Sequence, residues 1–540
     1  MSIFSSIPKS KGKRSRFNLS HSYKTTGGIG NLIPVLCREV LPGDIWNINT
    51  STLVRLQPTL APVMHAMSIR TECFFVPNRL LWKDWQDFIT GGADGTLAPV
   101  KPFVPASELV NFDTDILKNS NYDYLGMPLT SDGSAALPFS DTPIDILPLA
   151  ALQLIYNEYY RDPNLDADFA KSFPLPSGNF ITSGLDLTID ELLRCKSRCW
   201  EKDYFTAALP WTQRGPQVNI PLGTSAPVVR TDTTSSPYWE SSLGNPIGEG
   251  NAVFQSDGTH TYLRTETGDT GFADLVPNGT LEADLTQATS VTINDLRRSS
   301  AVQRWLENNA RGGSRYIEQI LAHFGVISSD SRLQRPEFLG SGKSPVIISE
   351  VLQTSGTNIS GQETPQANMA GHGIGGGINH GCYRHFEEHG FIVCFASLVP
   401  RSSYVFGLEP QYTRFDKLQY AWPELAQLGE QPVYRSELDS RTESHFEEPF
   451  GYQPRYTDYK YILSRTTGEM ARTLSFWQMA RRINESSPVL SSQFNHINQE
   501  DFYNLFPAGE ESRDQQFYME LYHNIKCSRK LPKYGTPILL

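Results

Sequence analysis

Glycines, arginines and a helix start stand together in ENNARGGSRYIEQILAHFGV, residues 307–326, a combination that can cradle a phosphate. Gly312 and Gly313 lie between Arg311 and Arg315. The flanking residues argue for a joint instead. Asn308, Asn309 and Gly312 read as the end of one amphipathic helix. Ser314 reads as the N-cap of the next, whose Tyr316, Ile317, Ile320, Leu321 and Phe324 make an apolar stripe. The glycine pair is expected to be a hinge, with phosphate contact by the arginines as the alternative.

Three other groups of residues point to enzyme chemistry and fail on context. GSGKS, residues 340–344, resembles the end of a phosphate loop, but Glu337 stands where the first glycine belongs. Pro345 and a β-branched run follow, so a turn before a strand is expected rather than a loop opening a helix. HFEEH, residues 385–389, matches a zinc-protease pattern that needs a helix to set His385, His389 and Glu388 on one face. Gly390 and strand-like sequence follow at once. The preceding GHGIGGGINHG, with His372 and His380, reads as a flexible loop. Together with Cys382 these side chains would hold an ion only adventitiously. Cys195 and Cys199 in LLRCKSRCW stand four apart on an expected helix with no neighbouring histidine, and read as core thiols. No catalytic residue, metal site or cofactor is expected.

The elements around these motifs read mostly as β structure. Residues 44–56, 67–77, 344–354 and 390–408 are β-branched or alternating and bounded by Pro or Gly. Helical spacing is confined to 147–162 and 293–310. With 540 residues the chain can bury a large interior, and no fixed-period repeat is visible. Seven scattered cysteines without a CxxC read as reduced thiols. The longest apolar run, FIVCFASLV, is far short of the ~20 residues of a membrane helix, so no membrane insertion is expected.

Charge is divided along the chain. The net charge of −11 argues against nucleic-acid contacts over the whole surface. Before Glu39, however, the chain has no acid and carries Lys9, Lys11, Lys13, Arg14, Arg16, Lys24 and Arg38. Residues 1–30 are read as a basic, flexible arm able to neutralise phosphates. Arg529, Lys530 and Lys533 add to it at the other end. Residues 221–290 are the reverse, with nine acids against Arg230 and Arg264. Tyr238, Trp239, Phe254, Tyr262 and Phe272 supply enough aromatic surface for a small folded insertion facing water.

Several long stretches then carry a resemblance. ARGGSRYIEQILAHFGV followed by SDSRLQRPEFLG closely resembles the major capsid protein of the Microviridae, small single-stranded-DNA phages, in its gokushovirus-like branch. FNLSHSYKTTGGIGNLIPVLCREVLPGDIWNI, FFVPNRLLW, YFTAALPWTQRGP, EHGFIV and FGYQPRYTDYK agree, in family order. The resemblance implies an all-β fold, an eight-stranded antiparallel viral jelly roll with large loop insertions and a few helices. It implies a homo-oligomeric T=1 icosahedral shell of sixty copies around circular single-stranded DNA. Assembly would occur in the host bacterial cytoplasm, with a small basic DNA-binding phage protein inside.

On this reading residues 31–540 form one jelly-roll domain. The arm lies inside, with Lys9, Lys11, Lys13, Arg14, Arg16, Arg529, Lys530 and Lys533 facing DNA. Residues 221–290 follow the ALPW motif, where the family carries a threefold protrusion, and would present Tyr238, Trp239 and Tyr262 to a host cell-surface receptor. A carbohydrate-binding or carbohydrate-active jelly-roll protein shares the composition and is the alternative. It would need paired carboxylates or an aromatic platform in a cleft.

Overall fold

A computed structural model of the chain describes residues 14–137, 142–216, 218, 293–313, 315–352, 369–441, 446–481, 483, 488–507 and 515–534. It also describes the backbone of short strands between 228 and 283 and at 357–359 and 362–364. Two compact units result: residues 1–212 with 309–540, and residues 213–308.

The first unit is built on nine strands: β1 (Ser15–Asn18), β2 (His21–Gly27), β3 (Ile33–Val40), β4 (Ile45–Leu56), β5 (Met67–Pro77), β6 (Glu337–Leu352), β7 (Met369–His385), β8 (Gly390–Pro400) and β9 (Phe517–Arg529). They form one antiparallel sheet in the order β1-β9-β4-β7-β6-β5-β8-β3, with β2 also on β9. The sheet curls into a half-barrel. His523, on β9 near one end of this order, reaches the Val35 carbonyl of β3 at the other end, at 3.2 Å. Ile33 and Phe517 likewise meet over Gly27.

Burial follows from this curl. β4 and β9 alternate buried and exposed residues, so one face meets the core and the other meets solvent. Trp46, Ile48, Val54, Leu521 and Ile525 fill the concave side with Ile33, Ile69 and Ile392. β8 is buried at every position because both its faces are covered. Phe391, Val393 and Phe395 point away from the concave core into a second one, with Phe74, Leu81, Trp82 and the helix α1 (Leu147–Ile155).

Glycine decides how tightly the sheet curls. β7 places Gly371, Gly373, Gly375 and Gly377 at alternate, inward positions. A Cβ at Gly373 would overlap Leu56, one at Gly377 would overlap Ser344, and one at Gly375 would lie 2.6 Å from Val346 Cγ2. Only hydrogen fits there. At Gly376, on the outer face, the nearest atom is 3.5 Å away.

Several expectations change. GHGIGGGINHG is a central strand, not a loop, because its glycines recur with the period of a strand. GSGKS lies inside β6, not in a turn. The segment 390–408 is strand only to Pro400. Residues 15–27 of the expected flexible arm are strands β1 and β2, held by the β9 ladder. The helix near Cys195 ends at Leu193, and both thiols lie on extended chain. Cys73 and Cys394 are not free thiols: they stand opposite each other on β5 and β8 and are joined by a disulfide. α1 ends in one π turn, Tyr156–Tyr160.

The described residues of the second unit form three small antiparallel sheets, 238–241 with 246–247 and 273–276, 252–256 with 261–265, and 228–230 with 281–283. The helix α2 (Ile293–Gly312) begins in it.

Two outcomes follow from the curled sheet. Gly373→Ala is expected to cost about 1–3 kcal/mol through overpacking, whereas Gly376→Ala should change stability by less than about 0.5 kcal/mol. Thermal melts of the two variants check this. His523 is buried, with Nδ1 3.0 Å from Thr50 Oγ1. Burial, and then the neighbouring His21 ring, push its pKa down to about 4. The unfolded chain therefore takes up this proton first as pH falls. Stability contributed above pH about 6.5 should be lost down to about 4, by roughly 3 kcal/mol. His523→Gln should flatten that part of the stability–pH curve.

Candidate nucleic-acid and assembly surfaces

The β1–β9 pairing brings the two charged ends of the described chain together. Ser15 lies opposite Arg529 and Asn18 opposite Lys526, so Arg14 and Arg16 stand beside the cations that end β9. The turn between β3 and β4 passes between them. Gly43 there has φ +88°, and a Cβ on it would lie 3.3 Å from Lys530 Cε and 3.5 Å from Arg14 Nη2. The expected DNA-facing residues now divide. Arg14, Arg16, Lys530 and Lys533 are exposed. Arg529 is engaged: Nε donates to Asp44 Oδ2 at 2.8 Å, Nη2 donates to the Glu39 carbonyl at 2.9 Å, and the guanidinium lies 5.4 Å from the Trp46 ring. Lys9, Lys11 and Lys13 lie outside the described residues.

The solvated face of the sheet extends this cluster with residues that the sequence reading missed. Register places Lys526 opposite Asn47, which faces Tyr383 on its other side. Tyr522 opposes Ser51 and then Ile378; Tyr518 opposes Arg55 and then Ile374. Glu520 in the same rows is offset by Lys24 at 3.8 Å. Tyrosines flanked by cations and amides on an open sheet can stack bases and neutralise phosphates together. The signal was present in FYMELYHNIKC, where Tyr518, Glu520, Tyr522, Asn524 and Lys526 alternate with apolar residues and His523 at a period of two.

A second surface is apolar. Between β8 and residue 429 the chain runs through short single turns and exposes Tyr412, Phe415, Leu418, Tyr420, Trp422 and Leu428. Phe415 is 93% exposed and so, at 91%, is Ile462, on a stretch joined to this one by the Arg414–Asp458 ion pair. The helix α3 (Tyr316–Phe324) also presents Tyr316, Leu321 and Phe324 outward, and Val326 and Ile327 follow. Its expected stripe is thus only half used within the chain. Exposed apolar surface on this scale marks association.

The enzyme-like motifs are occupied structurally. Glu388 accepts from Arg79 Nε at 2.7 Å and Nη2 at 3.1 Å, and the His389 ring lies 5.6 Å from Trp85. His385 ends β7 and is exposed. Among the described residues, His372, Cys382, His385 and His389 make no metal-holding group; the His380 side chain is outside them. Arg315 Nη2 donates to the carbonyls of Asn157 at 3.1 Å and Arg161 at 2.8 Å, and Arg311 pairs with Glu430. Both arginines of the opening motif thus fasten the joint. The position expected as the helix cap, Ser314, lies outside the described residues; Arg315 N–H donates to Glu318 Oε2 at 3.0 Å and begins α3. No helix of the described residues is long and apolar enough to cross a membrane.

In the acidic insertion, Tyr238 and Trp239 lie opposite Val276 and Leu275, and Tyr262 opposite Gln255. Their side chains are outside the described residues.

A curled β framework with a solvated basic–aromatic face and large unsatisfied apolar loops describes a structural protein made for association. Comparison with known proteins agrees. The family described as capsid protein (F protein) matches residues 5–539. The chain belongs to that family, the capsid proteins of the Microviridae. Capsid protein VP1 of Chlamydia phage 1 is 33% identical, covering 99% of this chain and 97% of the relative. VP1 of Bdellovibrio phage phiMH2K is 34% identical over 88% and 87%, and VP1 of Spiroplasma virus 4 is 29% identical over 97% and 95%. The protein is a virion component and not an enzyme.

Phe415→Ser with Ile462→Ser should leave the thermal stability of the isolated chain within about 0.5 kcal/mol. Each lost anchor should weaken subunit association by about 2 kcal/mol. Sedimentation of assembly reactions reads the shift from particles to free chains.

Proposed function

We propose that the chain folds as an eight-stranded viral jelly roll and closes, in sixty copies, a T=1 icosahedral shell around circular single-stranded DNA. The β1-β9-β4-β7 face with Arg14, Arg16, Lys526 and Lys530 looks inward. The arm of Lys9, Lys11 and Lys13 joins it, and a small basic phage protein shares the interior. Residues 221–290 look outward and meet the host cell-surface receptor through Tyr238, Trp239 and Tyr262.

The observation that carries this reading is the convergence of residues 14–16 and 526–530 on one solvated sheet face rich in cations and tyrosines. Nine acids against two arginines in the insertion support the opposite orientation for it, since a packaged genome would repel them. The contacts to DNA are sequence-independent, because phosphates and stacked bases occur in every strand.

A particle reconstruction, paired with single-strand binding by the free chain across a salt series, tests the proposal. Arg14→Ala with Arg16→Ala and Lys526→Ala should lower the slope of log affinity against log salt by about two. Density placing 221–290 against the genome, or an unchanged slope, would overturn the assignment of faces.

A further inference from the structure

Three segments far apart in sequence meet beside the π turn that ends α1. We propose that Asp166, Cys199 and His496 form a binding site for a divalent ion of the zinc class. Asp166 follows the π turn. Cys199 lies on the extended chain after the helix Ile189–Leu193 and makes a β-bridge to His496, which follows the short helix Ser492–Asn495.

The geometry fits such an ion. One ligand atom from each residue lies within 4.8 Å of the other two. His496 Nε2 and Asp166 Oδ2 are 3.5 Å apart. Ligand bonds of about 2.0–2.3 Å in a tetrahedron put neighbouring donors roughly 3.3–3.8 Å apart, so only a small closure is needed.

Each ligand is also prepared by its partners. His496 Nδ1 is 2.9 Å from the Ser492 carbonyl, an acceptor, so this nitrogen carries the proton and Nε2 keeps its lone pair. The Asp166 side chain is only 7% exposed. Its Oδ2 accepts from the Asp162 N–H at 2.8 Å, but its Oδ1 is buried with no hydrogen-bond partner. A buried carboxylate oxygen left unmatched is costly, and an ion would satisfy it. Neighbouring cations are engaged with other carboxylates, Lys202 with Asp162 at 2.8 Å, Arg161 with Asp168 at 3.4 Å and Arg198 with Glu72 at 2.8 Å. The Tyr156 hydroxyl, 3.0 Å from His496 Nε2, would release that nitrogen to the ion and stand beside the fourth position.

Cys199 selects the class of ion. A thiolate favours zinc-like ions over magnesium or calcium. Burial, and then the charge of Asp166, hold the thiol proton on, with the pKa pushed up to about 12. A dication opposes both effects. On binding, the S–H bond breaks, its electron pair forms the sulfur–metal bond, and the proton leaves to solvent. Cys199 also lines an open cleft of about 480 Å³. The ion would tie the π turn, the 195–200 segment and the 492–498 segment together, independently of how the shell meets DNA.

The test is titration of chelator-washed full-length protein with Co²⁺. A sulfur-to-cobalt charge-transfer band should saturate at one ion per chain. Cys199→Ser should abolish it, His496→Gln should weaken binding at least about tenfold, and Cys195→Ser should leave it intact. Zn²⁺ should compete for the site and raise the thermal midpoint of the wild type. Absence of the band in the wild type, or its persistence in Cys199→Ser, overturns the proposal. If Cys199→Ser fails to fold, the wild-type band and its loss of affinity in His496→Gln decide the question.

Discussion

The inner face of β7 has no room for a side chain, and the curl of the sheet depends on that. With Gly371, Gly373, Gly375 and Gly377 inward, Leu56 of β4 and Val346 of β6 close over the strand from either side. Any larger residue would hold those neighbours apart and flatten the sheet. The curl brings the two ends of the sheet together, through His523 and Val35 and through Phe517 and Ile33. Entropy opposes so many glycines in a strand. The ladders to β4 and β6 on both sides offset that cost.

The same curl explains why the chain ends matter. β9 comes from the far end of the sequence and inserts between β4 and the pair β1 and β2. Its inward residues, Phe517, Met519, Leu521, His523, Ile525 and Cys527, complete the core. Its outward residues are thereby forced onto one solvated face. The clustering of Arg14, Arg16, Lys526 and Lys530 is a by-product of strand pairing. Arg529 shows the limit of counting charges, since its contact with buried Asp44 makes it part of the β3–β4 turn.

On the other side of β5, a half-buried ionic group anchors the long excursion between β5 and β6. Glu72 accepts from Arg198 Nη1 at 2.8 Å and Nη2 at 2.9 Å, and also from the Tyr160 hydroxyl. Burial would raise the Glu72 pKa, but Arg198 and Tyr160 hold it below the usual carboxylate value. Bidentate geometry is what lets such a pair survive desolvation. It fixes the π turn and the 195–200 segment against the sheet, which is also where Asp166, Cys199 and His496 converge.

Much was legible from residue order alone. β4 and β5 could be read from alternation and β-branching, and α1 and α2 from helical spacing, because those periods are local properties of the backbone. The capsid family was legible too, since its long motifs persist in order from Phe17 to the C-terminal region. The failure of HFEEH and GSGKS as enzyme motifs was readable from the residues that follow them. What tertiary structure alone decided is everything that depends on contacts between distant positions. The glycine run could be loop or strand until β4 and β6 were seen to crowd it. The arm could be loose until β9 captured residues 15–27. Cys73 and Cys394 are 321 residues apart, and Asp166, Cys199 and His496 share no local pattern. Periodicity encodes which face of an element is apolar; it does not encode which element will cover that face.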